Sequence, residues 1–191
     1  MKTLLSIWIK PKKTFEYLEG RDESKNEVTI NTLFFLISTV AGFSNMTDIA
    51  ELVGVNYYIA LPISLVFSGL IGMFVFNRVI SLIIFFVSKL LQGKASKNEI
   101  RLVVAYSFIP HLVHLFIGLI MIAPAILLKD FDLLNYKNSI TIFVISILTI
   151  RIFIFGLSHF NKFSYGYAVL NIFIPIAILQ GILYSIKYLI M

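Results

Sequence analysis

The chain contains no cysteine, which excludes thiol catalysis, thiolate-bound zinc and a disulfide-stapled fold. Charge is scarce too, at 14% of 191 residues, where a soluble domain carries about 25%. Asp and Glu number ten, and every one lies outside the long apolar runs. Proton- and cation-coupled transporters place carboxylates within the membrane, and an aspartyl intramembrane protease needs two. The His-Glu-x-x-His of a zinc protease and a Gly-rich phosphate loop are both missing from the sequence. Enzyme chemistry, metals and cofactors are therefore not expected. What is present is apolar: 59% hydrophobic residues and a mean hydropathy of +0.92. A soluble chain of this size cannot hide so much apolar surface. The expectation is an all-α, polytopic integral membrane protein.

Residues 1–27 are expected to form an interfacial N-terminal segment, and 28–191 a transmembrane domain. Met1 to Ile9 is too short for a cleavable signal and runs into Lys10-Pro11-Lys12-Lys13. Pro11 suits the first turn of a helix and Gly20 its end, while Phe15 and Leu18 share one face. Such a segment suits the membrane surface; a docking helix for a partner is the other reading. After a polar hinge at Arg21 to Glu27, hydropathy marks five spans, near 28–45, 57–91, 97–128, 139–157 and 165–186. Asp48 and Glu51 fall in the first loop. The second run would be about 52 Å long as one helix, and its Asn77-Arg78 offers no turn signal, so one long tilted helix is expected. Ser96-x-x-Glu99 has capping-box spacing, and Pro110 predicts a kink in the third span. Tyr184, Lys187 and Tyr188 would anchor the last span.

Net charge is +6. No basic patch is interleaved with stacking aromatics, so a nucleic-acid partner is not expected. The cations instead sort by side. Six Lys and Arg precede Glu27, Lys89, Lys94, Lys97 and Arg101 flank the next loop on that side, and Lys162 follows. Only Lys129, Lys137 and Lys187 oppose them. The positive-inside rule then predicts a cytoplasmic-membrane protein with N-terminus in and C-terminus out.

Among residues that carry chemistry, Arg78 and Arg151 are left within spans, with Asn77 beside the first. Each is expected to snorkel, or to face carbonyls, water or a lipid phosphate. His111 and His114 share a helix face just after Pro110. They could bind a metal with the distant His159, but bonds to carbonyls freed by the kink are the simpler expectation. Ser64, Ser68 and Gly72 form a small-residue stripe for close helix packing, within the chain or in a homo-oligomer.

Several features together resemble bacterial members of the Yip family, the Ypt/Rab-interacting membrane proteins with a Yip-one domain. These are Pro11-x-x-Thr14-Phe15, Gly93 with the Ser96 loop, Val103-Val104-Ala105-Tyr106-Ser107-Phe108-Ile109-Pro110, and Ser164-Tyr165-Gly166-Tyr167-Ala168. The resemblance implies five spans and no catalytic residues. Eukaryotic relatives are linked to Rab GTPases through a long cytosolic N-terminal region that is not present here, so Rab binding is not carried over. The expected function is non-enzymatic organisation of membrane lipid or partner proteins. The alternative is a small oligomeric permease or channel whose polar path is lined by Arg78, Arg151 and the His111/His114 pair; a path requires those residues to converge.

Overall fold

A computed structural model describes residues 2–135 and 138–190. Lys137 and Met191, which bear on the expected charge bias and the outward C-terminus, lie outside the described residues, as do the side chains of Tyr184, Lys187 and Tyr188. The described chain is helical: α1 Lys2–Ile9, α2 Pro11–Glu19, α3 Glu23–Val53, α4 Tyr57–Leu90, α5 Lys97–Leu128, α6 Ser139–Asn161 and α7 Tyr165–Ile190. Stretches including α3, α4, α5 and α6 are long and apolar enough to cross a membrane. The described apolar part of α7, Tyr165–Ile178, is shorter, so the structure offers four candidate crossings and a shorter fifth element.

Helix ends follow capping chemistry rather than hydropathy. The Asp22 side chain accepts from the Ser24 and Lys25 amides, so α3 starts inside the expected hinge. It then runs through Asp48 and Glu51, expected in a loop, and stops only where Gly54 turns left-handed at φ 69°. Asn56 and Asn138 cap α4 and α6. At α5 the capping box forms: Glu99 N donates to Ser96 Oγ at 3.2 Å, and Ser96 N to Glu99 Oε2 at 2.6 Å. Around Pro110, α5 narrows to a 3-10 turn at Ile109–His111. The path of α4 is continuous, but Val75–Ile80 widens to a π turn whose Phe76 carbonyl accepts both the Ser81 amide and, at 2.8 Å, the Ser81 hydroxyl.

Connectivity gathers α1, α2, the 91–96 loop and the α6–α7 turn at one polar end. The Gly54 turn and the Phe131–Asn135 turn sit at the other. α3 and α4 form the closest helix pair. Gly42 lets them touch, since a β-carbon there would lie 2.7 Å from the Leu65 Cα; one at Gly72 would overlap Ser38. The Ser64 hydroxyl donates to the Gly42 carbonyl, and Ser68 is half-buried on the same helix. The small-residue stripe is thus occupied within the chain. Outside, Phe67, Phe74, Phe116, Ile120 and Phe143 are exposed, as expected of a surface facing lipid.

The N-terminal segment does not simply rest on a membrane surface. Ile7, Phe15 and Leu18 are fully or almost fully buried in the main core with Tyr106, Ile152 and Leu157. Gly156 makes room for this, as a β-carbon there would lie 2.8 Å from the Phe15 ring. The apolar face was legible, but a protein surface satisfies it as well as lipid does. Gly20, at φ −85°, ends α2 without the left-handed turn that glycine favours.

Candidate functional site

At the polar end the π turn carries Asn77 in between α3 and α5. Its amide donates to Asn31 Oδ1 at 3.0 Å, and its carbonyl oxygen accepts from Arg101 Nε at 2.5 Å. Arg101 also donates to Asn98 Oδ1 at 3.0 Å and pairs with Glu27 at 3.5 Å. Asn98 in turn donates to Glu23. The Arg101 side chain is only 13% exposed, and its fork is spent on three partners from three helices. A turn of π-helix is commonly found at functional sites because it re-aims side chains that a regular helix would stack.

Beside this network lies a cleft of about 460 Å³, bordered by Glu27, Asn31, Asn77, Arg78, Lys97 and Arg101. Three cations face one carboxylate there, and that carboxylate is engaged with Arg101. Arg78 and Lys97 are exposed and belong to no ion pair among the described residues. The cleft is therefore net positive, with Met73 and Phe74 as its apolar margin. It suits an anion, above all one attached to something apolar.

The other sequence candidates stand elsewhere. Arg151 donates to the Trp8 carbonyl at 3.1 Å and lies 5.9 Å from the Phe155 ring centroid, so it fastens α1 to α6. The rings of His111 and His114 are 6.2 Å apart, and His111 is 5.3 Å from Phe108. Neither imidazole bonds a carbonyl as expected; the backbone at the kink is satisfied by His111 N donating to the Phe108 carbonyl at 2.9 Å. Their supposed third partner, His159, sits 2.8 Å from Glu19. No cluster of three His, Asp or Glu suited to a metal occurs among the described residues. Arg78, Arg151 and the His pair do not converge on one cavity.

Sequence reasoning missed Arg101, Asn31 and Lys97. Arg101 and Lys97 counted only as topology-setting charge, although Asn31 and Asn77, lone amides in apolar runs, were the available signal.

A second polar knot closes the same end. Asn161 accepts from the Ala95 amide at 3.3 Å and donates to Ser88 Oγ at 3.3 Å, where Asn171 also donates at 2.5 Å. All three side chains are buried. They pin the 91–96 loop to the α6–α7 turn, while the stretch Val103-Val104-Ala105-Tyr106-Ser107 is wholly buried, with the Tyr106 ring edge-on to Phe15 of α2.

The residues that carry the family resemblance are thus those that build the polar end and the core beneath it. The Yip1 domain family model matches residues 5–186, from within α1 to the last turns of α7. No curated protein and no solved structure matches the chain. With nearly its whole length inside that match, the chain belongs to the Yip1 domain family, and it is a membrane protein of the Yip type.

Proposed function

We propose that the chain is a non-enzymatic, multi-pass protein that engages anionic lipid headgroups through the Arg78 cleft and so organises its membrane surroundings. One observation carries this reading: Arg78 and Lys97 line a net-positive cleft at the polar end and belong to no ion pair among the described residues, its one carboxylate being engaged with Arg101. The dispersal of Arg78, Arg151 and the His pair speaks against a shared polar path. The charge bias supports five crossings of a bacterial-type cytoplasmic membrane, with α7 as the fifth, the polar end inside and the C-terminus outside. Reporter fusions after Gly93 should read cytoplasmic and those in the Gly54 turn external; a cytoplasmic C-terminal fusion would overturn the odd count.

The test of the site is anionic lipid retained by the purified chain. Arg78→Lys should retain less than wild type, because lysine keeps charge but not the planar fork. Arg78→Leu should retain least while still inserting, since removing a charge from an apolar helix does not hinder insertion. Equal retention in all three would leave Arg78 as a snorkelling surface charge and end the headgroup reading.

A further inference from the structure

A second cavity, of about 770 Å³, lies between α1, α2 and the start of α3, apart from the Arg78 cleft. Its walls carry Lys10, Lys13, Arg21 and Lys25 and no carboxylate at all. Lys13 stands on α2, Lys10 and Arg21 flank its two ends, and Lys25 reaches the same space from α3. Like charges held around one space repel, yet none of the four belongs to an ion pair among the described residues. Two neighbouring acids are committed elsewhere. Asp22 caps α3 through Ser24 and Lys25, and Glu19 turns to His159 and Lys162.

Hydroxyls complete the lining. Ser6 and Thr14, 2.8 Å apart, border the cavity with Tyr17. Thr14 is 3% exposed, and its hydroxyl lies 3.0 Å from the Lys10 carbonyl, to which it donates. Behind them stands Tyr106, fully buried, whose hydroxyl has no hydrogen-bond partner among the described residues. Thr3, Tyr17 and Arg21, all in the cavity wall, lie around that hydroxyl. A buried donor left unsatisfied is unfavourable and calls for an explanation. Leu5 and Ile9, each next in sequence to a lining residue, Ser6 and Lys10, are 71% and 73% exposed on α1 and supply apolar surface near the pocket.

We propose that this pocket binds a phosphate monoester, whose dianion would be met by four cations. The chemistry is shared by a free phosphate monoester and by phosphatidic acid, and the apolar surface nearby suits the lipid.

The test uses the full chain in phosphatidylcholine nanodiscs. One arm adds phosphatidic acid to the bilayer and counts retained lipid by native mass spectrometry. A second adds soluble glycerol 3-phosphate and follows its binding by calorimetry. Binding in the first arm alone assigns the lipid, binding in the second assigns the free monoester as well, and binding in neither overturns the site. Lys10→Gln with Lys13→Gln should weaken binding about 30-fold, at roughly fivefold per surface cation. Lys12→Gln with Lys94→Gln removes the same charge outside the pocket and should bind as wild type does. Equal loss in the two double variants would mean diffuse surface attraction and no site. Lys25→Gln, on a different helix, should lose about fivefold, so the outcome does not hang on the folding of α2. Each variant is also made with Arg78→Leu, where the same losses are expected. Failure there, with the Arg78 effect intact, would overturn this pocket without touching the proposed function.

Discussion

The two ends of the helix bundle are held by different forces. The polar end is tied by side-chain hydrogen bonds between helices: Asn31–Asn77–Arg101–Asn98 on one side and Ala95–Asn161–Ser88–Asn171 on the other. Toward the far end, Phe43, Met46, Leu61, Leu115, Ala125 and Leu134 form a separate apolar cluster. There Ser64 to the Gly42 carbonyl is the one side-chain hydrogen bond between helices among the described residues. Lipid tails are as apolar as leucine, so burying apolar side chains gives little drive to helix association in the membrane. The α3–α4 seam must therefore depend on shape, through Gly42, Gly69 and Gly72. The polar end faces water and headgroups, where an unpaired amide is costly only once it is buried.

If that contrast is right, changing volume should harm the seam most and removing a polar group should harm the polar end most. Gly72→Leu puts a branched side chain onto Ser38 and should cost up to about 3 kcal/mol, as overpacking does. Asn161→Leu strands the buried Ala95 amide and removes a donor from Ser88, at about 2 kcal/mol. Ser64→Ala, which deletes the far half's lone interhelical bond, should cost only about 0.6 kcal/mol, the usual size of such bonds in membranes. All three are read from thermal unfolding of the full chain in phosphatidylcholine nanodiscs. A Ser64→Ala loss matching that of Asn161→Leu would erase the distinction between the ends.

Much of this contrast was legible in the chain. Ser96 and Glu99 announced the start of α5, Pro110 its break, and Ser64-x-x-x-Ser68-x-x-x-Gly72 the tight seam. Hydropathy misplaced the end of the first span because it locates hydrocarbon, whereas Asp22 and Gly54 decide where the helix begins and stops. The π turn at Val75–Ile80 left no local mark: Asn77-Arg78 contains neither glycine nor proline, and the partners that hold Asn77 come from α3 and α5. The cationic pocket was hidden for a related reason. Lys10 and Lys13 looked like solvated interfacial charge until Arg21 and Lys25 were brought around the same space.

The smallest effect should come from a polar-end bond set that is wholly exposed. Asp22 accepts from Ser24 N at 2.9 Å, Ser24 Oγ at 2.5 Å and Lys25 N at 3.2 Å. The Ser24 hydroxyl first, then the Lys25 amide, hold its carboxyl below the ordinary value of 3.8. A carboxyl depressed in the folded chain adds stability above its unfolded value, and that stability is lost as pH falls through the folded value. Protonation should thus loosen the first turn of α3 only below about pH 4, leaving the buried knot at Asn161 unaffected. Amide exchange at Ser24 and Lys25, taken relative to intrinsic rates, should show falling protection in wild type as acid is added. Asp22→Asn caps nearly as well but does not titrate, so its protection should stay level. Parallel profiles in the two chains would show that this turn is held by α3's packing and not by its cap, which would extend the shape-driven regime of the seam to the polar end itself.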